Sequence, residues 1–315
     1  MQTVITEDVQ VAARLIREGL LVAFPTETVY GLGADATNEA AIRDIFEAKG
    51  RPTNNPLIVH IADFRDLTGV AESIPAPAMA LMDAFFPGPL TLILDRHPSI
   101  PDVVSAGLPT VGVRMPDHDQ AGELIRKAGR PIAAPSANLS GLPSPTTWQA
   151  VKEDLDGVIS CILLGEQTPV GLESTVVDCT RENPVILRSG NVTLEQLRLV
   201  IPQIKPVAEE DIVVAHSPGI LHRHYAPKAM VILVDRSDGI EPASQAGFIG
   251  FTAPDASDDF LVVEQVSSLE DYAFRLFEFF RECDRLGAES IYCQRVIREG
   301  VGVALMDRLE RAATR

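Results

Sequence analysis

Cysteine and tryptophan are scarce in this chain, with 4 and 1 among 315 residues. Cys161, Cys179, Cys283 and Cys293 form no Cys-x-x-Cys pair, and no histidine stands beside them at ligand spacing. Neither a disulfide framework nor a zinc site is expected, and the four read as reduced, buried, small apolar residues. Basic residues are in deficit as well: 27 Lys and Arg against 44 Asp and Glu give a formal charge of -17. Non-specific nucleic-acid binding needs Lys and Arg facing phosphates and releasing counterions, so that class is disfavoured. A small anionic ligand is not, because one local pocket can oppose the global field.

Other absences narrow the chemistry. No apolar run reaches the length of a membrane span, and Met1 to Asp8 lack the basic start and apolar core of an export signal, so a cytoplasmic protein is expected. There is no G-x-x-x-x-G-K-[ST], no H-E-x-x-H and no G-x-S-x-G, which removes P-loop, zincin and nucleophile-elbow enzymes. His222 and His224 are neighbours without a spaced carboxylate or Cys, and they predict no metal site.

What remains is alternation. Val9 to Ile16 is helix-like and leads into an apolar strand over Leu20 to Phe24. Asn38 to Ala48 puts Ala41, Ile42, Ile45 and Phe46 on one helical face, and Pro56 to Ile61 reads as a strand. Further strands are predicted over Leu90 to Leu94, Thr110 to Val113, Ile132 to Ala134, Val158 to Leu164, Thr175 to Val177 and Val185 to Leu187. Residues 1–204 therefore read as an α/β domain with a mixed sheet. A Pro-, acid- and His-rich segment follows, and residues 205–229 are expected to be a linker or a functional cover. A second alternation over 230–315 begins with Met230 to Val234 and Gly247 to Phe251, and fits a small Rossmann-like α/β domain.

Within the first domain, Lys49-Gly50-Arg51-Pro52-Thr53-Asn54-Asn55-Pro56 sets two cations before a strand. A helix end explains Lys-Gly, since Gly suits the C′ position and cations complement the helix dipole. It does not explain the prolines and amides after Arg51, which stiffen a turn and fix donors in a way that suits polyphosphate. Gly31-Leu32-Gly33-Ala34-Asp35-Ala36 formally fits a dinucleotide pattern, but the strand before it ends too early and no acidic residue ends the next one. The glycines are read as a turn, with Thr26, Glu27 and Thr28 at a strand's carboxyl end. Ser136, Asn138 and Ser144 lie in short polar loops that either cap and turn or face phosphate. Arg114 and Arg188 end strands and Ser174 precedes one; a strand-end Arg is commonly a surface ion pair, yet several together mark a ligand edge, and a guanidinium fork suits a carboxylate.

Taken in order, PTETVYGLGAD, Lys49-x-Arg51, NPLIVH, FPGPLTLIL, GVRMPDH, Ser136-x-Asn138, ESTVVD and ILRSG resemble the threonylcarbamoyl-AMP synthase family in its long form. Ser217-Pro218-Gly219 with Arg223-His224-Tyr225-Ala226-Pro227 is similar to the linker of that form, with Ile220 and His222 as small departures. The resemblance implies a YrdC-like twisted mixed sheet with helices, a linker folding over the site, and the smaller Rossmann-like domain. It implies synthesis of L-threonylcarbamoyl-AMP and pyrophosphate from L-threonine, bicarbonate and ATP, feeding threonylcarbamoyladenosine formation in tRNA next to the anticodon. ATP would meet Lys49, Arg51, Thr53, Thr110, Ser136, Asn138, Ser144, Arg188 and Tyr225, with Lys49, Arg51, Ser136 and Asn138 as the catalytic set. Threonine would meet Thr26, His60, Arg114, Ala134 and Ser174. Magnesium would arrive with ATP, held mainly by its phosphates, and no tightly bound organic cofactor is expected.

The partners implied are these small substrates and the downstream tRNA threonylcarbamoyl transferase machinery, with neither a membrane nor stable direct tRNA binding. Two rivals are an RNA-binding module and a related domain that transfers carbamoyl from carbamoyl phosphate. Acidic domains argue against the first. The zinc-finger and acylphosphatase-like regions expected with the second are absent from the sequence.

Overall fold

The computed structural model describes residues 2–206, 225–242 and 245–314. Its larger sheet comprises β1 (Val4–Thr6), β2 (Val22–Phe24), β3 (Gly31–Asp35), β4 (Ile58–His60), β5 (Leu90–Asp95), β6 (Thr110–Arg114), β7 (Ile132–Ala133), β8 (Cys161–Leu163), β9 (Thr175–Asp178), β10 (Val185–Arg188) and β11 (Lys205–Pro206). They lie in the order β1-β8-β2-β3-β7-β4-β6-β5-β9-β10-β11. β4 pairs parallel with β6 and β5 with β9, while β2 and β3, β3 and β7, and β5 and β6 pair antiparallel. The sheet is mixed, as the alternation predicts.

Both faces of this sheet are covered by helices. α1 (Val9–Arg17) and α4 (Asp119–Ala128) pack on one face; α2 (Glu39–Lys49), α3 (Ala76–Phe85), α5 (Trp148–Leu155) and α6 (Leu194–Val200) contribute to the core on the other. The strand period of two divides the side chains accordingly: Val22 and Phe24 join the α1 side and Ala23 the other. Because both neighbours are apolar, β2 is buried at every position. α1 starts where the Asp8 carboxylate accepts from Gln10 N, and buries Val9, Ala12, Ala13 and Ile16 at helical spacing. α2 starts where Asn38 accepts from Ala40 and Ala41 N, and stops at Gly50, whose φ of 58° is the left-handed cap expected of that glycine.

The expected turn at Gly31 to Asp35 is instead β3. A Cβ on Gly33 would lie 2.7 Å from Phe24 Cε1 and 2.8 Å from Ile132 Cγ2, so this glycine admits its neighbours' side chains rather than a ligand. β1 and β11 were not foreseen from the sequence; β11 pairs with β10 and carries the first sheet two residues beyond the expected boundary at 204. All four cysteines are free and buried.

The second sheet has β12 (Met230–Val234), β13 (Ala246–Gly250), β14 (Val262–Gln265) and β15 (Ser290–Gln294), all parallel in the order β12-β15-β13-β14, with α7 (Leu269–Leu286) and α8 (Val301–Ala313). This is the Rossmann-like pattern predicted for 230–315. Its core is continuous with part of the first unit and of the linker: Val29 and Leu172 of the former and Tyr225 of the latter pack in the same cluster as Phe277 and Leu305. Arg281 of α7, 5% exposed, donates to the Asp154 carboxylate at 3.1 and 2.9 Å and to Pro143 O at 2.7 Å. The two units are joined by a desolvated ion pair as well as by apolar packing.

Candidate active site

The register of the first sheet brings strand ends together. His60 and Arg114 are paired residues at the carboxyl ends of β4 and β6. β10 runs against β9, so Arg188 at its end meets Ser174 just before β9. The loops after β2 and β7 are stitched to each other by a Gly31–Ser136 bridge and by Ala137 N donating to Tyr30 O at 2.8 Å. Between them lies a pocket with about 670 Å³ of empty space, part of it open to solvent.

Lys49 lies on the buried stripe of α2, one turn after Ile45 and Phe46, with 2% exposure. Its ammonium donates to Ser136 O at 2.6 Å and to Asn138 O. Burial first, and the charge of Arg51 second, lower its pKa well below the ordinary lysine value. Arg51, also buried, donates from Nε to Asn55 O at 3.3 Å and from Nη2 to Pro56 O at 3.1 Å, so the proline-stiffened turn holds the guanidinium in place. Burial brings its pKa down to about 10. In the next loop Ser136 Oγ donates to Asn138 Oδ1 at 2.6 Å, and Asn138 Nδ2 donates to Leu139 O and Leu142 O at 2.8 and 2.9 Å. The Ser136–Asn138 loop is therefore shaped by its own side chains and braced from behind by Lys49.

On the opposite wall Arg114 donates from Nε to Gly88 O at 3.2 Å, and its Nη2 lies 2.6 Å from Glu27 Oε2. That second contact is close but out of line: among the described residues neither Glu27 oxygen nor Nη2 has a directed hydrogen bond. It is an ion pair with guanidinium donor capacity left over. His60 beside it is buried, and burial together with Arg114 lowers its pKa to about 3, so the ring is neutral at physiological pH. Among the described residues its Nδ1 has no hydrogen-bond partner. The Thr26 hydroxyl, by contrast, is occupied by its own turn, donating to Val29 O at 2.7 Å.

A third wall is built around Glu173. Ser144 Oγ donates to Glu173 Oε1 at 2.5 Å, and Arg308 Nε of α8 donates to Oε2 at 3.0 Å. Burial raises the pKa of this carboxyl, but Arg308, Arg188 and the Ser144 bond together outweigh that and hold it below the ordinary value. Arg188 Nη2 donates to Ser174 O at 2.9 Å and to Ser174 Oγ at 3.1 Å, and Ser174 Oγ is 2.8 Å from Thr91 Oγ1. Tyr225, at φ 66°, is stacked on Phe277 at 5.4 Å, with the Arg308 guanidinium 5.4 Å from its ring centre.

Of the residues singled out in the sequence, Thr26, Arg51, His60, Arg114, Ala134, Ser136, Asn138, Ser144, Ser174, Arg188 and Tyr225 line this pocket, and Lys49 stands behind its wall. Thr53 is exposed and borders a separate open depression with Arg43 and Asp102. Thr110 opens β6 opposite Asp95, at the far end of the strand from Arg114 and roughly 13 Å away at about 3.3 Å per residue. Of the expected cover over 205–229, residues 207–224, including Ser217-Pro218-Gly219, Ile220, His222 and Arg223-His224, lie outside the described residues. Glu173 and Arg308 were missed. The signal for Arg308 is its place on the apolar stripe of α8, between Leu305 and Ala312, where an exposed arginine has no reason to be.

The pocket gathers fixed cations and hydrogen-bond donors, and among the described residues no Cys or Lys lines it and no Ser lining it is hydrogen-bonded to a histidine, which suits binding and orienting an anionic ligand rather than covalent catalysis. Among the described residues no group of three or more His, Cys, Asp or Glu is arranged to hold a metal ion, and no helix is long and apolar enough to cross a membrane.

Residues 14–190 match the family described as "Telomere recombination", and residues 192–314 match "Threonylcarbamoyl-AMP synthase, C-terminal domain". The chain is 46% identical to the threonylcarbamoyl-AMP synthase of Pyrococcus abyssi over 97% of its own length and 94% of that protein. It is 44% identical to the Bacillus subtilis protein of the same name, over 98% and 94%. The crystal structure of P. abyssi Sua5 complexed with L-threonine superposes with a TM-score of 0.89 at 42% identity, covering 99% of this chain and 97% of that one.

Proposed function

The chain belongs to the threonylcarbamoyl-AMP synthase family, and on that premise we propose that the strand-end pocket is where it makes L-threonylcarbamoyl-AMP and pyrophosphate from L-threonine, bicarbonate and ATP. The observation that carries this reading is local charge inversion. In a molecule of charge -17, Arg51, Arg114 and Arg188 converge on one pocket with the Lys49-braced loop. A polyanion beside an amino acid is the ligand such a pocket fits.

In this reading Arg51 and the Ser136–Asn138 loop hold the triphosphate, and Lys49 sets that loop. Arg114 takes the threonine carboxylate with the donor capacity that Glu27 leaves unused, and a carboxylate placed in line with Nη2 forms the fork contact absent from the Glu27 pair. His60, Thr26, Ala134 and Ser174 surround the amino acid; Ser144, Arg188 and Tyr225 meet the nucleotide. The chemistry needs no protein nucleophile. The neutral amine of threonine and bicarbonate give a carbamate and water, the carbamate oxygen attacks the α-phosphorus, and pyrophosphate leaves with the electron pair of the broken bond. The protein's part is positioning and charge stabilisation, together with exclusion of water from a reactive mixed anhydride. Magnesium enters as part of the ATP substrate, on its phosphate oxygens.

The product serves tRNA threonylcarbamoylation and passes to a downstream transferase in the cytoplasm. The working division of the chain is 1–204 catalytic, 205–229 cover and 230–315 Rossmann-like support. The test is product identification by mass spectrometry after incubation with ATP, magnesium, L-threonine and labelled bicarbonate. Labelled carbon in threonylcarbamoyl-AMP is the expected result. ATP turnover without label in an adenylate would refute the reading.

A further inference from the structure

Arg308 is the largest fully buried side chain among the described residues, at 0% exposure, and it belongs to the C-terminal unit rather than to the sheet that carries the pocket. It touches three parts of the pocket wall. Nε donates to Glu173 Oε2 at 3.0 Å, Nη1 donates to Ser189 O at 3.0 Å beside Arg188, and the guanidinium lies over the Tyr225 ring. Nη1 also donates to Asp307 Oδ2 at 2.9 Å, so the charge is shared between a pocket carboxylate and one on its own helix. A buried guanidinium is costly unless its donors are used; here Nε and Nη1 are used, on Glu173, Ser189 and Asp307, while Nη2 has no hydrogen-bond partner among the described residues.

The consequence reaches Ser144. A serine hydroxyl has one hydrogen, and a carboxylate paired with Arg308 accepts but does not donate, so that hydrogen is committed to Glu173. What Ser144 shows to the pocket is lone pairs. It is then a poor partner for phosphate oxygens, and Glu173 adds a negative charge on the same wall. Both features mark this wall as the nucleoside end of the site, where the groups to be recognised are donors.

Building on the function proposed above, we propose that Arg308 is a positioning residue for the nucleotide: by anchoring the Glu173 carboxylate it fixes Ser144 as a hydrogen-bond acceptor that reads a donor group of the nucleoside, the adenine amine or a ribose hydroxyl. The C-terminal unit thereby completes the ATP site with a single side chain. Recognition by an acceptor of this kind discriminates against analogues that lack the donor.

The full-length protein, titrated calorimetrically with ATP in the absence of threonine, tests this separately from the reaction. Arg308→Met leaves the buried Glu173 carboxylate without its arginine and is at risk of misfolding, so the double variant Glu173→Gln/Arg308→Met, which removes both charges of the pair, is measured beside it. Both are expected to bind ATP at least about tenfold more weakly, a loss that reports on positioning if the double variant melts like wild type. Wild-type affinity in a folded double variant would overturn the proposal. Wild type failing to bind ATP at all would instead sink the proposed function. The acceptor role is read with 2′-deoxy-ATP, 3′-deoxy-ATP and the triphosphate of purine riboside: one of them should lose affinity for wild type and lose none further for Ser144→Ala. If every loss is the same in wild type and Ser144→Ala, Ser144 reads no donor.

Discussion

A lysine on the buried stripe of a helix and a histidine at the end of a buried strand are each improbable unless the surroundings use them. Lys49 is used as a brace, its ammonium bonded to the carbonyls of Ser136 and Asn138. Lys49→Met keeps the volume and removes the donors. Pyrophosphate formation should fall by at least about tenfold, and the urea midpoint should drop by the equivalent of about 1–3 kcal/mol for carbonyls left unsatisfied. Wild-type values for both would deny Lys49 the bracing role. His60 gives a pH prediction. Its pKa is about 3 in the folded protein against the ordinary 6.5, so between those values the unfolded chain binds more protons and stability falls as pH falls. Above 6.5 the group has no effect. Urea titrations of wild type and His60→Gln from pH 6.5 down to about 5, where most carboxylates remain ionised, should show a shallower acid loss in the variant. At this scale Lys49, Arg51, Arg114 and Ser136 stand out in the sequence, because a polar type in an apolar frame, or a rigid turn after a cation, is visible there. Glu173 was not visible: a carboxylate among the glycines and serines of its loop reads as solvated until its arginine is found on a helix far along the chain.

Elements were legible where periodicity is strong and blurred where packing alone decides. α1 and α2 follow their caps and apolar stripes closely, and the strands at Leu90, Thr110 and Val185 lie where the apolar runs put them. β3 defeated the reading because Gly31, Gly33 and Asp35 carry no strand propensity; pairing with β2 and β7 on both sides imposes it. Gly33→Ala tests this directly. Its methyl would press on Phe24 and Ile132 from below 3 Å, and a loss of about 1–3 kcal/mol in denaturant unfolding with an unchanged m-value is expected. An alanine variant as stable as wild type would mean that the strand contact yields more readily than its geometry indicates.

At the scale of the whole molecule the two sheets act through a shared boundary. The alternating pattern shows two α/β units, but no local signal reveals that Arg281 reaches Asp154 or that Arg308 reaches Glu173, since those pairs are separated by more than a hundred residues. Arg281→Met strands Asp154, whose side chain is 7% exposed, and removing one partner of a buried pair costs about 3–5 kcal/mol. Calorimetry is expected to show one transition for wild type and, in the variant, a lower transition or two separate ones; an endotherm unchanged from wild type would mean that the ion pair is not what couples the units. The most direct test of the pocket itself is the rate of pyrophosphate release with each substrate omitted in turn, for wild type and Arg51→Ala. Release that requires both threonine and bicarbonate and collapses in the variant is the predicted result. Release that ignores threonine, or that survives undiminished in Arg51→Ala, would contradict it.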